Sequence, residues 1–277
     1  MSVGRYTDEE FWDEYWRSLE LPIEIDKSRG VLVAEMTDVF DRFLASDHPL
    51  SVLEIGGAPG QYGAYLYRRF GHSVTVFDSS PIGCEKAREN FDLLGVPARV
   101  VEADLFAPPA NLSRFDVVYS LGLIEHFGDV TEAVRAHVDL VVPGGLLLLG
   151  APNLDGINAG LLRRLSPTFL SKHHVEATYE STWDRFEVDL GLQRLFRSYL
   201  GGFDPSMFWR IESRRLSIRL AHQVLWYLGK AFEHRAGRFL KRPNSRLWST
   251  YLMGAYRVPE TGGLLDPPPV GPVGHFR

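Results

Sequence analysis

Three carboxylates, a cluster of glycines and an acid–histidine pair are the residues of this chain whose types and spacing suggest chemistry. Residues 51–60, SVLEIGGAPG, read as a short apolar strand (Val52, Leu53, Ile55) that carries Glu54 and runs into the turn Gly56-Gly57-Ala58-Pro59-Gly60. Helical character follows over 61–70. Strand, glycine turn and helix make a nucleotide cradle, because the turn lets a ligand approach the backbone and the helix N-terminus offers free N–H groups. The turn lacks the Gly-x-Gly-x-x-Gly spacing of a pyrophosphate site, and Pro59 removes an N–H that such a site would use. Glu54 would repel a phosphate and suits a cationic ligand. Asp78 closes the next strand, where a carboxylate can take both hydroxyls of a ribose. Asp104 follows a third strand, where it can accept from the exocyclic amine of a purine. Any one of these acids also reads as a strand-end or turn cap. Three at the carboxyl ends of consecutive strands converge on one crevice, and together they describe a site for a positively charged nucleoside.

The Glu125-His126 pair follows a fourth strand. An imidazole titrates near neutrality, so His126 is a candidate general base, with Glu125 beside it. The plainer alternative has His126 packing or hydrogen-bonding locally and Glu125 capping. His173 and His174 form a second pair in a polar segment. No carboxylate or cysteine lies at ligand spacing from them, so no metal is expected. Cys84 reads as a small packing residue within a helix.

The elements that must position these groups alternate. Candidate strands at 52–55, 73–77, 98–102, 115–121 and 146–149 are separated by helices at 62–70, 82–94 and 130–141, with a Pro143-Gly144-Gly145 turn before the fifth strand. Short apolar strands alternating with helices predict an α/β fold, a mostly parallel sheet with helices on both faces. Ahead of it, Thr7 with Glu10 gives a capping-box pattern for a helix over 7–19. Its face Phe11, Trp12, Tyr15, Trp16 and Leu19 either packs on the domain or lids a ligand site. A second helix is expected at 29–45. Beyond Asn153 the pattern loosens: an insertion at 154–188, a helix at 190–199, a strand near 208–212, a long amphipathic stretch at 216–240 and a last strand at 247–258. The domain organisation predicted is an N-terminal helical cap (1–50), a binding core (51–153), the insertion (154–188), a C-terminal part of the core (189–258) and a Pro/Gly-rich tail (259–277).

The chain has 277 residues, of which 45% are hydrophobic and 12% aromatic, enough for one large domain with elaborations. A net charge of −5 argues against bulk attraction to nucleic acid or anionic lipid. With Cys84 as the one cysteine, an N-terminus unlike a signal peptide and apolar runs too short to span a bilayer, the expected location is cytoplasmic.

With these motifs in this order, the chain resembles the class I S-adenosylmethionine-dependent methyltransferases of small-molecule type over roughly 31–152. The resemblance implies a Rossmann-like seven-stranded sheet whose last strand is antiparallel, with strands six and seven at 208–212 and 247–258. It implies S-adenosyl-L-methionine as cofactor. Glu54, Gly56, Gly57, Ala58 and Gly60 would hold its methionine part, Asp78 and Ser79 the ribose, Asp104 and Leu105 the adenine. Ser120 and Leu121 belong to the fourth family motif (115–127, FDVVYSLGLIEHF), and Glu125 and His126 stand where family members bring acceptor and methyl together. The Gly-Gly-Ala-Pro-Gly turn departs from the commoner Gly-x-Gly-x-Gly and also occurs in RNA ribose methyltransferases. Those use a Lys-Asp-Lys-Glu set, and this chain has no lysine between Lys86 and Lys172. The elaborations carry Trp12, Trp16, Phe169, Tyr179, Trp183, Phe186 and Trp226, which suit an apolar or aromatic small molecule. The expectation is O-methylation, with N-methylation next, in natural-product or secondary metabolism, with no nucleic acid or membrane partner and a homodimer left open. The alternatives are an RNA or protein methyltransferase, which a groove of Arg163, Arg164, Arg214, Arg215 and Arg219 would support, and a non-methylating relative that binds the same cofactor.

Overall fold

The apolar runs pair into one seven-stranded sheet, as a chain with buried strands and interleaved helices must. The computed structural model describes residues 4–204, 219, 220, 223, 224, 227 and 243–260. In chain order the elements are α1 (Glu9–Arg17), α2 (Val31–Leu44), β1 (Ser51–Ile55), α3 (Gln61–Phe70), β2 (Ser73–Asp78), α4 (Pro81–Leu94), β3 (Arg99–Glu102), β4 (Phe115–Leu121), α5 (Val130–Val138) and β5 (Val141–Pro152). There follow α6 (Gly156–Leu165), α7 (Pro167–Ser171), α8 (Glu180–Asp189), β6 (Gln193–Leu200) and β7 (Tyr251–Arg257). The sheet order is β3-β2-β1-β4-β5-β7-β6. β1 to β5 are parallel, and β7 runs antiparallel between β5 and β6. The strand order reverses between β1 and β4, so the crevice for a ligand opens beyond their carboxyl ends.

Successive residues of each strand face opposite sides. Val52, Val74, Val76, Val117 and Tyr119 pack with α2, α3 and α4, while Leu53, Ile55, Phe77 and Val118 pack with α5 and α8. Each such side chain contributes about 1.5–3 kcal/mol by leaving water, so both layers hold the strand ends rigidly. Among the described residues, no helix is long and apolar enough to cross a membrane.

The C-terminal part of the sheet differs from the sequence expectation. The segment predicted as a helix at 190–199 is the edge strand β6. Leu, Gln and Arg are good helix formers, but propensity differs by only tenths of a kcal/mol per residue, and antiparallel pairing with β7 outweighs it. Gly191, at φ +62°, separates α8 from this strand. Arg194 and Arg197 of β6 are tied to Asp184 and Glu187 of α8, which also charges an otherwise open sheet edge. The sixth strand expected at 208–212 lies outside the described residues, as do most of 216–240 and the tail beyond 260. The seventh strand is where it was expected. β5 is longer than predicted, running through Pro143-Gly144-Gly145 with a register shift against β4. At α1 the cap is Asp8 rather than Thr7: its carboxylate accepts from Phe11 N at 2.9 Å, while the Thr7 hydroxyl accepts from Trp12 Nε1 at 3.1 Å.

Candidate functional site

The glycine turn between β1 and α3 owes its shape to two left-handed glycines, Gly56 at φ +64° and Gly60 at φ +82°. Between them the backbone lies directly over the Glu54 side chain, so that a Cβ on Gly57 would sit 2.3 Å from Glu54 Cγ. Glu54 is buried, and burial, with the nearby charge of Asp78 adding to it, pushes its carboxyl up to about 8. At the end of β2, Asp78 receives Ser80 N at 2.9 Å and Ala58 N at 3.3 Å. Burial raises its carboxyl to about 6 against the pull of those amides. Glu54, Gly56, Gly57, Ala58, Asp78, Ser79, Leu105 and Leu121 all line one cavity of about 600 Å³, within the range of roughly 300–1,000 Å³ common for small-molecule sites.

Three predicted cofactor residues are placed differently. Gly60 does not line the cavity; it is the N-cap of α3, and a Cβ there would strike Phe91. Asp104 lines a smaller neighbouring cavity of about 310 Å³, where its carboxylate accepts from Phe106 N at 2.8 Å and pairs with the Arg5 guanidinium. Ser120 lines neither cavity. It is fully buried and bonded at 2.9 Å to His137 Nε2, because alternation along β4 turns it toward α5.

The far side of the large cavity is closed by separate segments. Phe11, Trp12, Tyr15, Trp16 and Leu19 all line it, so the aromatic face of the N-terminal helix covers the site. Trp12 stacks on Trp16 with ring centroids 5.8 Å apart and meets His126 edge-on at 5.0 Å. Phe169, Lys172 and His173, from α7 and the turn after it, form another wall. The Lys172 ammonium lies 4.1 Å from the Phe11 ring centroid, which ties the two covering segments together. Other aromatic residues expected to enclose the acceptor do not. Trp183 and Phe186 are buried in the sheet–helix core against Tyr256, since α8 is a crossover helix whose apolar face the sheet takes up. Tyr179 is the N-terminal flank of α8, and Trp226 lies outside the described residues. Arg163, Arg164 and Arg219 line neither cavity, and Arg214 and Arg215 lie outside the described residues. Tyr251 and Lys172 are lining residues that the sequence reading missed. Tyr251 could have been found: an antiparallel last strand starts at the carboxyl end of its parallel neighbours, where it faces Pro152.

Glu125 and His126 sit in a single turn of 3₁₀ helix after β4; both line the large cavity, and His126 also lines the smaller one beside Asp104. The His126 ring donates from Nδ1 to the Lys172 carbonyl at 3.1 Å, which leaves Nε2 as the acceptor nitrogen. Burial and the neighbouring His173 lower His126 to about 3, so it is neutral at physiological pH. Burial raises the Glu125 carboxyl to about 8, and its Oε2 has no hydrogen-bond partner among the described residues. The expectation that no carboxylate joins the histidines is corrected by the fold. His173 is brought onto His126, ring centroids 4.6 Å apart, and Glu125 completes a buried group of three. His174, by contrast, lines neither cavity; it stacks on Tyr6 and holds the Phe127 carbonyl at 2.9 Å.

Comparison with known proteins agrees with this geometry. A family of methyltransferase domains matches residues 29–198, more than half of the chain. A ubiquinone biosynthesis O-methyltransferase of Roseobacter denitrificans is 24% identical over 76% of this chain and 88% of its own length. A 2-methyl-6-phytyl-1,4-hydroquinone methyltransferase of Oryza sativa is 27% identical over 53% of this chain and 44% of its own. Among solved structures, the N-methyltransferase NodS of Bradyrhizobium japonicum, in complex with S-adenosyl-L-homocysteine, superposes with a TM-score of 0.55 at 16% identity, covering 92% of this chain and 100% of that one. The geranyl diphosphate C-methyltransferase of Streptomyces coelicolor superposes with a TM-score of 0.58 at 11% identity, covering 90% and 97%.

Proposed function

The chain belongs to the methyltransferase-domain family and is an S-adenosylmethionine-dependent methyltransferase, and we propose that it methylates an oxygen of a small, largely apolar or aromatic acceptor held beneath α1 and α7. The observation that carries this is the continuity of one cavity from the glycine turn and Asp78 to the Glu125–His126 corner, under a cover of Trp12, Trp16 and Phe169. A covered pocket of that size suits a small molecule, and among the described residues Arg163, Arg164 and Arg219 do not line it.

Gly56, Gly57 and Ala58 would receive the methionine part of the cofactor against the turn, with Glu54 beneath. Asp78 and Ser79 would take the ribose, and Leu105 would pack on the base, with Asp104 at its edge. The cofactor supplies an electrophilic methyl group on a sulfonium, and in-line transfer then depends chiefly on how well the acceptor is positioned. The aromatic cover excludes water and orients the acceptor. At its end of the cavity, the neutral His126 offers Nε2 to the acceptor's hydroxyl proton. Oxygen is favoured over nitrogen because the neutral His126 Nε2 can accept from and orient a hydroxyl, and one relative is named as an O-methyltransferase. The single, buried cysteine supports a cytoplasmic setting, and the extent of the covering segments supports a specialised role in secondary metabolism.

The test is mass spectrometry of a panel of phenols, aliphatic alcohols and amines incubated with the protein and S-adenosylmethionine. A phenolic product one methylene heavier is expected, and His126→Ala should lower turnover at least about 100-fold with cofactor affinity unchanged. Transfer of label to RNA or protein but to no small molecule would overturn the acceptor class.

A further inference from the structure

We propose that Glu125, His126 and His173 form a binding site for one divalent transition-metal ion at the acceptor end of the cavity. The ligand atoms of the three side chains lie within 4.8 Å of one another, and all three residues are buried. Glu125 Oε1 is 3.9 Å from His126 Nε2. Ligands on bonds of about 2.0–2.2 Å stand roughly 3–3.5 Å apart, so modest side-chain rotation closes the group around an ion.

The orientation of the rings is the stronger observation. His126 Nδ1 is held by the Lys172 carbonyl at 3.1 Å, and His173 Nδ1 by the Phe169 carbonyl at 2.7 Å. Each ring therefore donates N–H to the backbone and turns its Nε2 lone pair to the interior. Backbone acceptors of this kind orient metal-bound histidines and fix their tautomer. The carboxylate is placed to match. Glu125 is 1% exposed, lines the cavity, and its Oε2 finds no partner among the described residues. Two imidazoles and one carboxylate, with the rest of the coordination sphere open to the cavity, suit Zn²⁺, Co²⁺, Mn²⁺ or Fe²⁺ better than the oxygen-seeking Mg²⁺ or Ca²⁺.

The role of the ion rests on the reading of this corner as the acceptor end, whereas its binding does not. A hydroxyl coordinated to the ion loses its proton to water or buffer. The resulting oxygen forms the new C–O bond as the C–S bond breaks, and the C–S electron pair stays on sulfur, leaving a neutral thioether. With the ion bound, His126 Nε2 is a ligand and no longer the base, so metal dependence separates the two routes.

The experiment titrates the full chain, stripped with chelator and dialysed, with Zn²⁺ alone by calorimetry and Co²⁺ alone by visible absorption. One equivalent per chain is expected, with d–d bands for Co²⁺. Glu125→Gln and His173→Ala should weaken binding at least about tenfold, and His48→Ala, at an exposed site, should leave it unchanged. Affinity for S-adenosyl-L-homocysteine, measured on the same samples, reports whether each variant is folded. Cofactor binding without stoichiometric metal, or metal binding equal in wild type and both variants, overturns the site and leaves the methyltransferase reading intact. Loss of cofactor binding by the folded wild type would strike that reading instead. Full turnover in the stripped enzyme, unchanged by added metal, overturns the ion's role.

Discussion

The two ends of the cavity are built in opposite ways. The end proposed for the cofactor comes from neighbouring strands of one parallel sheet: the turn after β1, where Gly56 and Gly57 carry no side chain, Asp78 closing β2 and Leu105 after β3. The acceptor end is assembled from α1, the turn at 122–127, α7 with the residues after it, and the start of β7, and it presents side chains. A backbone cradle is specified by the fold and tolerates little change. A side-chain wall can be rebuilt for a different acceptor while the donor end stays the same. Damage to the first should therefore remove cofactor binding, and damage to the second should change what is methylated, how fast and at what concentration.

The sharpest break in that contrast is expected at Gly56→Arg. Its left-handed φ of +64° strains any side chain, and a Cβ there would meet Leu123 at 3.0 Å. Affinity for S-adenosyl-L-homocysteine should fall at least about 100-fold, or about 2.7 kcal/mol, by calorimetry. An unaltered Kd would mean that the turn is not the cradle. Asp78→Asn should cost about tenfold at pH 7.5 and should also change the pH profile. Burial raises the carboxyl to about 6, and in the proposed role it would accept ribose hydroxyls when ionised, so wild-type affinity should fall as pH drops through 6, while the variant stays flat over that window. At the other end, Phe169→Ala should raise the acceptor KM about tenfold with less than a twofold change in cofactor Kd, as steady-state kinetics and calorimetry would show. A cofactor Kd that moved with KM would mean that the two ends are not separable. The smallest functional effect is expected at Ser120→Ala, with cofactor affinity unchanged and thermal stability lowered by about 1–2 kcal/mol, because His137 Nε2 loses its buried partner.

The glycine turn and the acids at the strand ends were legible in the sequence because their geometry is local. Strand, glycine turn and acid occupy adjacent positions, and neighbouring strands carry the other acids to the same edge. The exceptions at that end have one local cause and one distant one. Ser120 was misplaced because strand alternation points it to the opposite layer, and Asp104 is engaged by Arg5, which lies 99 residues away in the chain. Most of the acceptor end was not legible, since nothing in the spacing of His126 and His173 announces that Lys172 and Phe169 carbonyls will orient both rings. The aromatic face of α1 was readable as a pattern. Whether it lay over a core or a cavity was not, because both present apolar surface to a helix.

β6 shows the same division within the fold. Residues 190–199 carry a composition compatible with helix, and the last unpaired edge of β7 decided otherwise. The sequence by itself determined the parallel core, the order of its motifs and the gathering of Glu54 and Asp78 at neighbouring strand ends, because these follow from periodicity and glycine conformation; the burial that raises the Glu54 carboxyl to about 8, leaving it mostly protonated at neutral pH, came from the fold. Only the tertiary structure decided which aromatic residues cover the cavity, that Trp183 and Phe186 belong to the core, and that Glu125, His126 and His173 share one buried corner. Those outcomes depend on contacts between segments 46 or more residues apart, whose energies arise from packing, and packing has no local signature.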